Sequence, residues 1–93
     1  MAAADLSNAD LKDAKLGEAT LVGANLNGAY LNGAYLGNVQ LGVAYLGNTD
    51  LRGADLSGAT LSTARALTQT QLDQACGEPA TLPPGLTLNK RCH

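Results

Sequence analysis

Leucine recurs at every fifth position through the first two-thirds of the chain, and this spacing fits no regular helix or flat strand. Five residues turn an α-helix by about 140°, so such leucines would spiral round the helix instead of forming a stripe. On a strand, an odd spacing would place successive leucines on opposite faces. We therefore predict that the chain bends once per repeat. The predicted core ladder is Leu6, Leu11, Leu16, Leu21, Leu26, Leu31, Leu36, Leu41, Leu46, Leu51, Leu56 and Leu61.

The positions around each leucine have a fixed character. The residue two positions before it is alanine in ten of twelve repeats, and residues two apart on extended chain share a face. The two residues after it always include Gly, Asn, Asp or Ser, which tolerate tight turns. Each repeat is thus a short extended piece followed by a corner. The intervening residue points outward; these residues are Asp5, Asp10, Lys15, Thr20, Asn25, Tyr30, Tyr35, Gln40, Tyr45, Asp50, Asp55 and Thr60.

The repeats "ADLSN", "ADLKD", "ANLNG" and "ADLSG" resemble the pentapeptide-repeat family, whose pattern is A-(D/N)-L-x-x. The match runs without interruption through residues 4–63. Twelve consecutive repeats are a specific signal for this family. The resemblance implies an all-β solenoid, a right-handed quadrilateral parallel β-helix with four repeats per coil. Twelve repeats then make about three coils. We assign residues 1–66 to this β-helix.

A short capping α-helix is predicted within residues 67–77, because a repeat stack needs its exposed end covered. The repeat register ends after Ala64. Thr68 with Gln71 three residues later fits a capping box. We expect a helix over Gln69 to Cys76, with Gly77 as its terminator.

Apolar residues connect this helix with the rest of the chain. Leu67 and Leu72 are spaced as a hydrophobic staple around the cap. Leu72, with Ala75 or Cys76, is expected to cover the end of the β-helix. Residues 78–93 form an extended tail, since Pro83 and Pro84 forbid a helix there. Its leucines are expected to pack back onto the helix or coils: Leu82, Leu86 and Leu88.

The N-terminal end shows no comparable cap. The chain enters the repeat register at Ala4, so we expect a truncated or processed piece of a longer protein, with an intact short protein and a designed one as alternatives. The first coil would otherwise be exposed. Either two such ends stack in a head-to-head homodimer, or a further segment covers this end in the natural protein.

Two cysteines, Cys76 and Cys92, flank the tail, and we predict a disulfide between them. Closing a loop of about fifteen residues would stabilise the fold by about 3 kcal/mol. The pair favours a periplasmic or otherwise exported location, with a cytoplasmic one as the alternative. A metal site that also uses His93 is disfavoured, since three ligands lack the paired spacing of structural zinc sites.

No residues point to catalysis, a cofactor, nucleic-acid binding or a membrane. The net charge is −2 without any acidic or basic tract, and no apolar run reaches transmembrane length. The histidine needed for a hydrolytic triad has no visible partners. The glycines form corners instead of a phosphate loop. The outward carboxylates are interpreted as solubilising groups: Asp5, Asp10, Asp50 and Asp55.

Any function should therefore lie on the outer surface. Tyr30, Tyr35 and Tyr45 are the three aromatic residues of the chain, and exposed tyrosines are common in interfaces. They are candidates for a protein-partner surface, although tyrosine also suits half-exposed strand positions. We predict a non-enzymatic structural or protein-interaction module whose partner is unknown. The alternative is a fragment of a DNA-mimicking topoisomerase (gyrase) inhibitor, which the uncharged residues 24–43 disfavour.

Overall fold

The repeats wind into stacked coils of twenty residues in the computed structural model, which describes residues 3–78 and 80–91. Isolated parallel bridges join outward residues twenty apart, beginning with Asp5–Asn25, and recur every five residues. Each coil thus has four sides. Every bridge is a single residue long, so the described residues form no longer strand. The reason is that two of the five residues in each repeat are needed for the corner.

Each corner is closed by a hydrogen bond from the amide three residues after the leucine to that leucine's carbonyl, as from Ala9 to Leu6 (3.0 Å). The second corner residue has a positive φ in eleven successive repeats, as at Asn8 (61°) and Gly28 (72°). A positive φ at this position is the type II pattern, which favours Gly and Asn. Thr63, at the last corner, is not left-handed.

The core is a ladder of leucines with alanines beside them. The leucines from Leu21 onward are at most 2% exposed: Leu21, Leu26, Leu31, Leu36, Leu41, Leu46, Leu51, Leu56 and Leu61. The first three leucines of the first coil, Leu6, Leu11 and Leu16, are half-buried, because the described residues cover them on one side alone. Thr49 occupies an alanine position, where its hydroxyl donates to the carbonyl of Leu26 (2.7 Å).

The coil pairing continues to Cys76 and Thr81, beyond the predicted end of the β-helix at residue 66. Arg65 bridges to Tyr45 at the usual separation of twenty residues. After the helix, Cys76 bridges to Asp55 and Thr81 to Thr60, at a separation of twenty-one. A fourth, partial coil therefore closes the stack. The helix takes the place of its second side, and this coil is one residue longer than the coils before it.

The helix, α1, spans Gln69–Gln74 and ends two residues before the predicted limit at Cys76. The predicted capping box is confirmed: the Gln71 amide donates to Thr68 Oγ1 (3.3 Å), and the Thr68 amide to Gln71 Oε1 (2.9 Å). The helix stops because Ala75 is extended and Cys76 already pairs with the coil below. The prediction that Gly77 terminates the helix is wrong.

Residues 67–78 and 80–91 cover the end of the core. Leu72 and Ala75 are fully buried, and Cys76 is 8% exposed. The tail lies against α1, where the Gln69 side chain donates to the Thr87 carbonyl (2.8 Å) and accepts from the Thr87 amide (3.0 Å). The apolar residues of these segments pack on the core: Leu67, Leu82, Leu86 and Leu88.

Candidate binding surface

The outward side chains stack into four columns, because bridged residues lie about 4.8 Å apart in successive coils. We number the sides of the coil one to four in chain order. Side one carries Asp5, Asn25, Tyr45 and Arg65, and side two carries Asp10, Tyr30 and Asp50. Side three carries Lys15, Tyr35, Asp55 and Cys76, and side four carries Thr20, Gln40, Thr60 and Thr81.

Tyr30 stands in the middle of side two and is 47% exposed. The Lys12 ammonium lies 5.7 Å from the centre of its ring, within the range of a cation–π contact. Asp10 and Asp50 bridge to Tyr30 from the coils on either side. The ring is therefore surrounded by charges of both signs.

Asp50 on side two is held by Arg52, whose Nε and Nη2 donate to the carboxylate at 2.9 and 2.6 Å. These hydrogen bonds lower the pKa of Asp50 below its ordinary value. The same pairing raises the pKa of Arg52. Arg52 is exposed, so the pair fixes the local charge pattern more than it stabilises the fold.

Tyr35 on side three folds across two corner glycines. A Cβ atom at Gly17 would lie 2.6 Å from the Tyr35 ring, and one at Gly37 would meet its hydroxyl group. The ring thus rests where side chains would otherwise stand. Tyr35 remains 47% exposed, with its ring close to the backbone at both glycines.

Tyr45 on side one is 40% exposed. The Arg65 guanidinium carbon lies 5.3 Å from the ring centre. Sequence reasoning named the tyrosines but missed both cations that contact them. For Arg65 a signal existed, since it follows Tyr45 by twenty residues, the length of one coil.

The three tyrosines lie on three successive sides of the coil. Because four sides close each coil, side one with Tyr45 and side three with Tyr35 face in opposite directions. A flat partner surface cannot contact both rings at once. The geometry therefore divides the predicted tyrosine surface into separate contact regions.

An uncharged region lies along side four and the corner that follows it. Side four carries threonines and Gln40, without a charge among its described residues. At the corner, Val22 and Val43 are 37% and 39% exposed, and Val22 lies over Gly42. The Val43 amide donates to Thr63 Oγ1 of the next coil (3.1 Å). We call this region the valine corner and define it as Val22, Val43 and Tyr45. Tyr45 is included because it lies directly after the corner, on side one.

The predicted disulfide cannot be placed in full, because Cys92 lies outside the described residues, as do Met1, Ala2, Pro79 and His93. Cys76 is buried, with its sulfur 3.3 Å from the carbonyl oxygen of Ala54. The disulfide stays a prediction.

The described residues show no converging chemistry. They bring no three His, Cys, Asp or Glu side chains together in a group that could hold a metal, and they form no pocket. The helix that they contain lacks the length and hydropathy required to span a bilayer.

Coils of four five-residue repeats, bridged side by side, define the molecule as a repeat solenoid. The family model described as pentapeptide repeats matches the chain in eight copies, over residues 4–42, 31–65 and 40–76. The chain belongs to the pentapeptide-repeat family, which confirms the resemblance seen in the sequence.

One solved structure similar to this chain is a pentapeptide repeat protein from the thylakoid lumen of Arabidopsis thaliana. The two are 32% identical, with a TM-score of 0.69, and the match covers 95% of this chain. It covers 57% of the other chain, so the present chain spans little more than half of that protein's length. No curated protein matches the chain.

Proposed function

We propose that this protein is a non-enzymatic protein-interaction module, and that its partner binds at the valine corner. The observation that carries the proposal is the grouping of exposed apolar side chains there. Among the residues that the structure describes, three of the five exposed large hydrophobic residues belong to this corner: Val22, Val43 and Tyr45. Apolar and aromatic residues at the centre, with few charges, are typical of the buried part of a protein interface.

The shape of the surface supports a binding role over a catalytic one. Acid–base or nucleophilic catalysis requires groups that converge on one substrate atom. Here the outward side chains diverge from the sides of a convex coil. Membership of the pentapeptide-repeat family is consistent with this function.

Family membership also supports a right-handed, four-sided parallel β-helix. The four bridge positions per coil agree with four sides. A crystal structure that fixes the hand of the coil tests this inference, and a left-handed coil would contradict it.

An exported location is part of the proposal. It is supported by the predicted disulfide and is compatible with the lumenal source of the similar plant protein. The alternative function, a DNA-mimicking topoisomerase inhibitor fragment, has no comparable support. On side two, Tyr30 separates Asp10 from Asp50, so the acidic residues do not form the continuous column that such mimicry requires.

Photo-crosslinking tests the binding site directly. A photoreactive phenylalanine analogue replaces Tyr45, Tyr35 or Asp73 in three separate variants expressed in the native cells. We expect a discrete protein adduct from position 45 and little from position 35, on the opposite side, or from position 73, on α1. Failure of position 45 to form an adduct, or equal yields of one adduct from all three, would contradict the proposal.

A further inference from the structure

Two identical pentapeptides, "LNGAY", follow one another in the second coil, at residues 26–30 and 31–35. Each places an asparagine–glycine pair at a corner: Asn27 with Gly28, and Asn32 with Gly33. Both glycines are left-handed, with φ of 72° and 73°. Because the local sequences are the same, any difference in reactivity between the two asparagines must come from the fold.

An asparagine that precedes glycine can lose its side-chain amide without a catalyst. Hydroxide removes the proton of the glycine amide, and the nitrogen attacks the side-chain carbonyl carbon of the asparagine. A nitrogen–carbon bond forms, the carbon–NH₂ bond breaks, and ammonia leaves with a proton from water. Water then opens the succinimide ring at either carbonyl, which yields aspartate or isoaspartate. Glycine favours this attack because it has no Cβ atom to hinder it.

The fold holds the attacking nitrogen equally at the two corners. The Gly28 amide donates to the Gly47 carbonyl, and the Gly33 amide donates to the Arg52 carbonyl, both at 2.8 Å. Either nitrogen must leave its partner in the next coil before it can react, so local opening of the corner comes first. This requirement slows both reactions and does not distinguish them.

Asn27 is held by two further hydrogen bonds. Its side-chain Oδ1 accepts from the Gly47 amide at 2.8 Å. Its own amide donates to Asn25 Oδ1 at 3.0 Å. The first of these bonds must break before the side chain can turn toward the Gly28 nitrogen.

Asn32 lacks the corresponding side-chain restraint. Its Oδ1 is buried and has no hydrogen-bond partner among the described residues. The outward residue two positions earlier is Tyr30, whose side chain has no carbonyl oxygen to accept from the Asn32 amide. An unpaired buried acceptor is unfavourable, so Asn32 gains hydrogen bonds with water when its side chain turns outward. We propose that Asn32 is the first site of deamidation in the folded protein, and that hydrogen bonding protects Asn27.

Nearby charges do not set this order, because they oppose one another. Lys12 and Arg52 occupy the same corner position as Asn32 in the coils on either side, and positive charge favours the anionic nucleophile. The Asp13 carboxylate lies where a Cβ atom of Gly33 would stand, and negative charge disfavours it. The reaction would introduce a carboxylate into residues 24–43, which carry no charge. This corner lies diagonally across the coil from the valine corner, so the inference is independent of the proposed function.

Peptide mapping of the aged protein tests the proposal. The full chain is incubated at mildly alkaline pH, once folded and once in urea. Trypsin then releases residues 16–52, and tandem mass spectrometry locates each conversion of amide to acid. In the folded protein, Asn32 should convert about fivefold or more faster than Asn27, the effect of one neutral hydrogen bond. In urea the two rates should be equal, because the pentapeptides are identical.

Asn32→Gln is the control variant, since it should abolish the fast conversion and leave the slow one at Asn27. Thermal melting verifies that this variant is folded. Equal rates at the two asparagines of the folded protein would overturn the proposal, as would faster conversion at Asn27. So would a folded protein whose Asn32 stays intact through incubation far beyond the time that converts the unfolded chain.

Discussion

The side-chain amide of Gln71 donates a 2.7 Å hydrogen bond to the backbone carbonyl of Leu46, and a second one to that of Thr49 at 2.9 Å. In the inner coils, the carbonyl at the Thr49 position accepts from an amide of the next coil, as the Ala29 carbonyl does from the Asp50 amide (2.9 Å). Here α1 interrupts the coil, and the buried Gln71 side chain supplies that donor for Thr49. The Leu46 carbonyl also accepts from the Thr49 amide at its corner (3.2 Å). The Gln71 side chain accepts from the amide of Thr68, so Gln71 joins the helix cap to the end of the core.

Replacing Gln71 with Glu should lower the free energy of unfolding more than loss of the helix cap alone. The carboxylate keeps an acceptor for the Thr68 amide but has no donor for the two carbonyls. We expect Gln71→Glu to reduce the free energy of unfolding by about 3 kcal/mol. Thr68→Ala, which removes the capping hydroxyl, should cost about 1 kcal/mol. Urea denaturation of both variants measures the difference, and equal losses would show that the carbonyl contacts are unimportant.

Much of this architecture is predictable because the repeat encodes it locally. Leu31 and Ala29 lie on the inner face by two-residue alternation, and Thr68 and Gln71 carry a capping signal in four residues. The fourth coil is not predictable in this way. Ala66 replaces the central leucine there, and the pairing of Cys76 with Asp55 depends on a register shift that no local pattern records.

The candidate surface was harder to predict than the core. The position of Tyr35 in its repeat predicts that the side chain points outward. It does not predict that the ring lies across Gly17. Likewise, the pairing of the Gln69 side chain with Thr87 depends on how the tail returns to the helix. Such contacts are set by tertiary packing, which periodicity does not describe.

Val43 is expected to be a strained position. Its φ of 49° is left-handed, which is costly for a β-branched residue. Val43→Gly should raise the free energy of unfolding by about 1 kcal/mol, while retaining the amide that Thr63 binds. Val22→Gly, at a corner position without positive φ, should lower it by up to about 1 kcal/mol. Chemical denaturation distinguishes them, and a destabilised Val43→Gly would show that the strain is negligible.

Gly77 is required for close packing of the tail. A Cβ atom there would lie 2.8 Å from the Ser57 amide nitrogen and 3.0 Å from the Leu56 carbonyl carbon. Because these are backbone atoms, Gly77→Ala should destabilise the protein by about 2–3 kcal/mol. Gly85→Ala is the matched control, since Gly85 also has a positive φ but open space around it. Its cost should be about 1 kcal/mol, and equal losses in thermal unfolding would exclude a packing role for Gly77.

The Cys76–Cys92 disulfide is testable by mass. Gly77 donates to the Lys90 carbonyl (2.8 Å), and Arg91 pairs with Glu78 at 3.1 Å, so the segments next to both cysteines are adjacent. We expect the unfolded, unreduced protein to resist alkylation and to take up two labels after reduction. Two labels without reduction would contradict the disulfide and remove its support for an exported location.

The central claim is that leucines form the inner face of stacked coils, and one pair of adjacent residues tests it. Leu41 is 1% exposed, whereas Gln40 points outward on uncharged side four. Leu41→Asp, like Leu31→Asp, buries a charge in the core and should abolish cooperative folding. Gln40→Asp introduces the same side chain one position earlier and should leave the thermal transition within a few degrees of wild type. Circular dichroism melting of the three variants decides the matter: a soluble, cooperatively melting Leu31→Asp or Leu41→Asp protein would mean that the leucines are not the core.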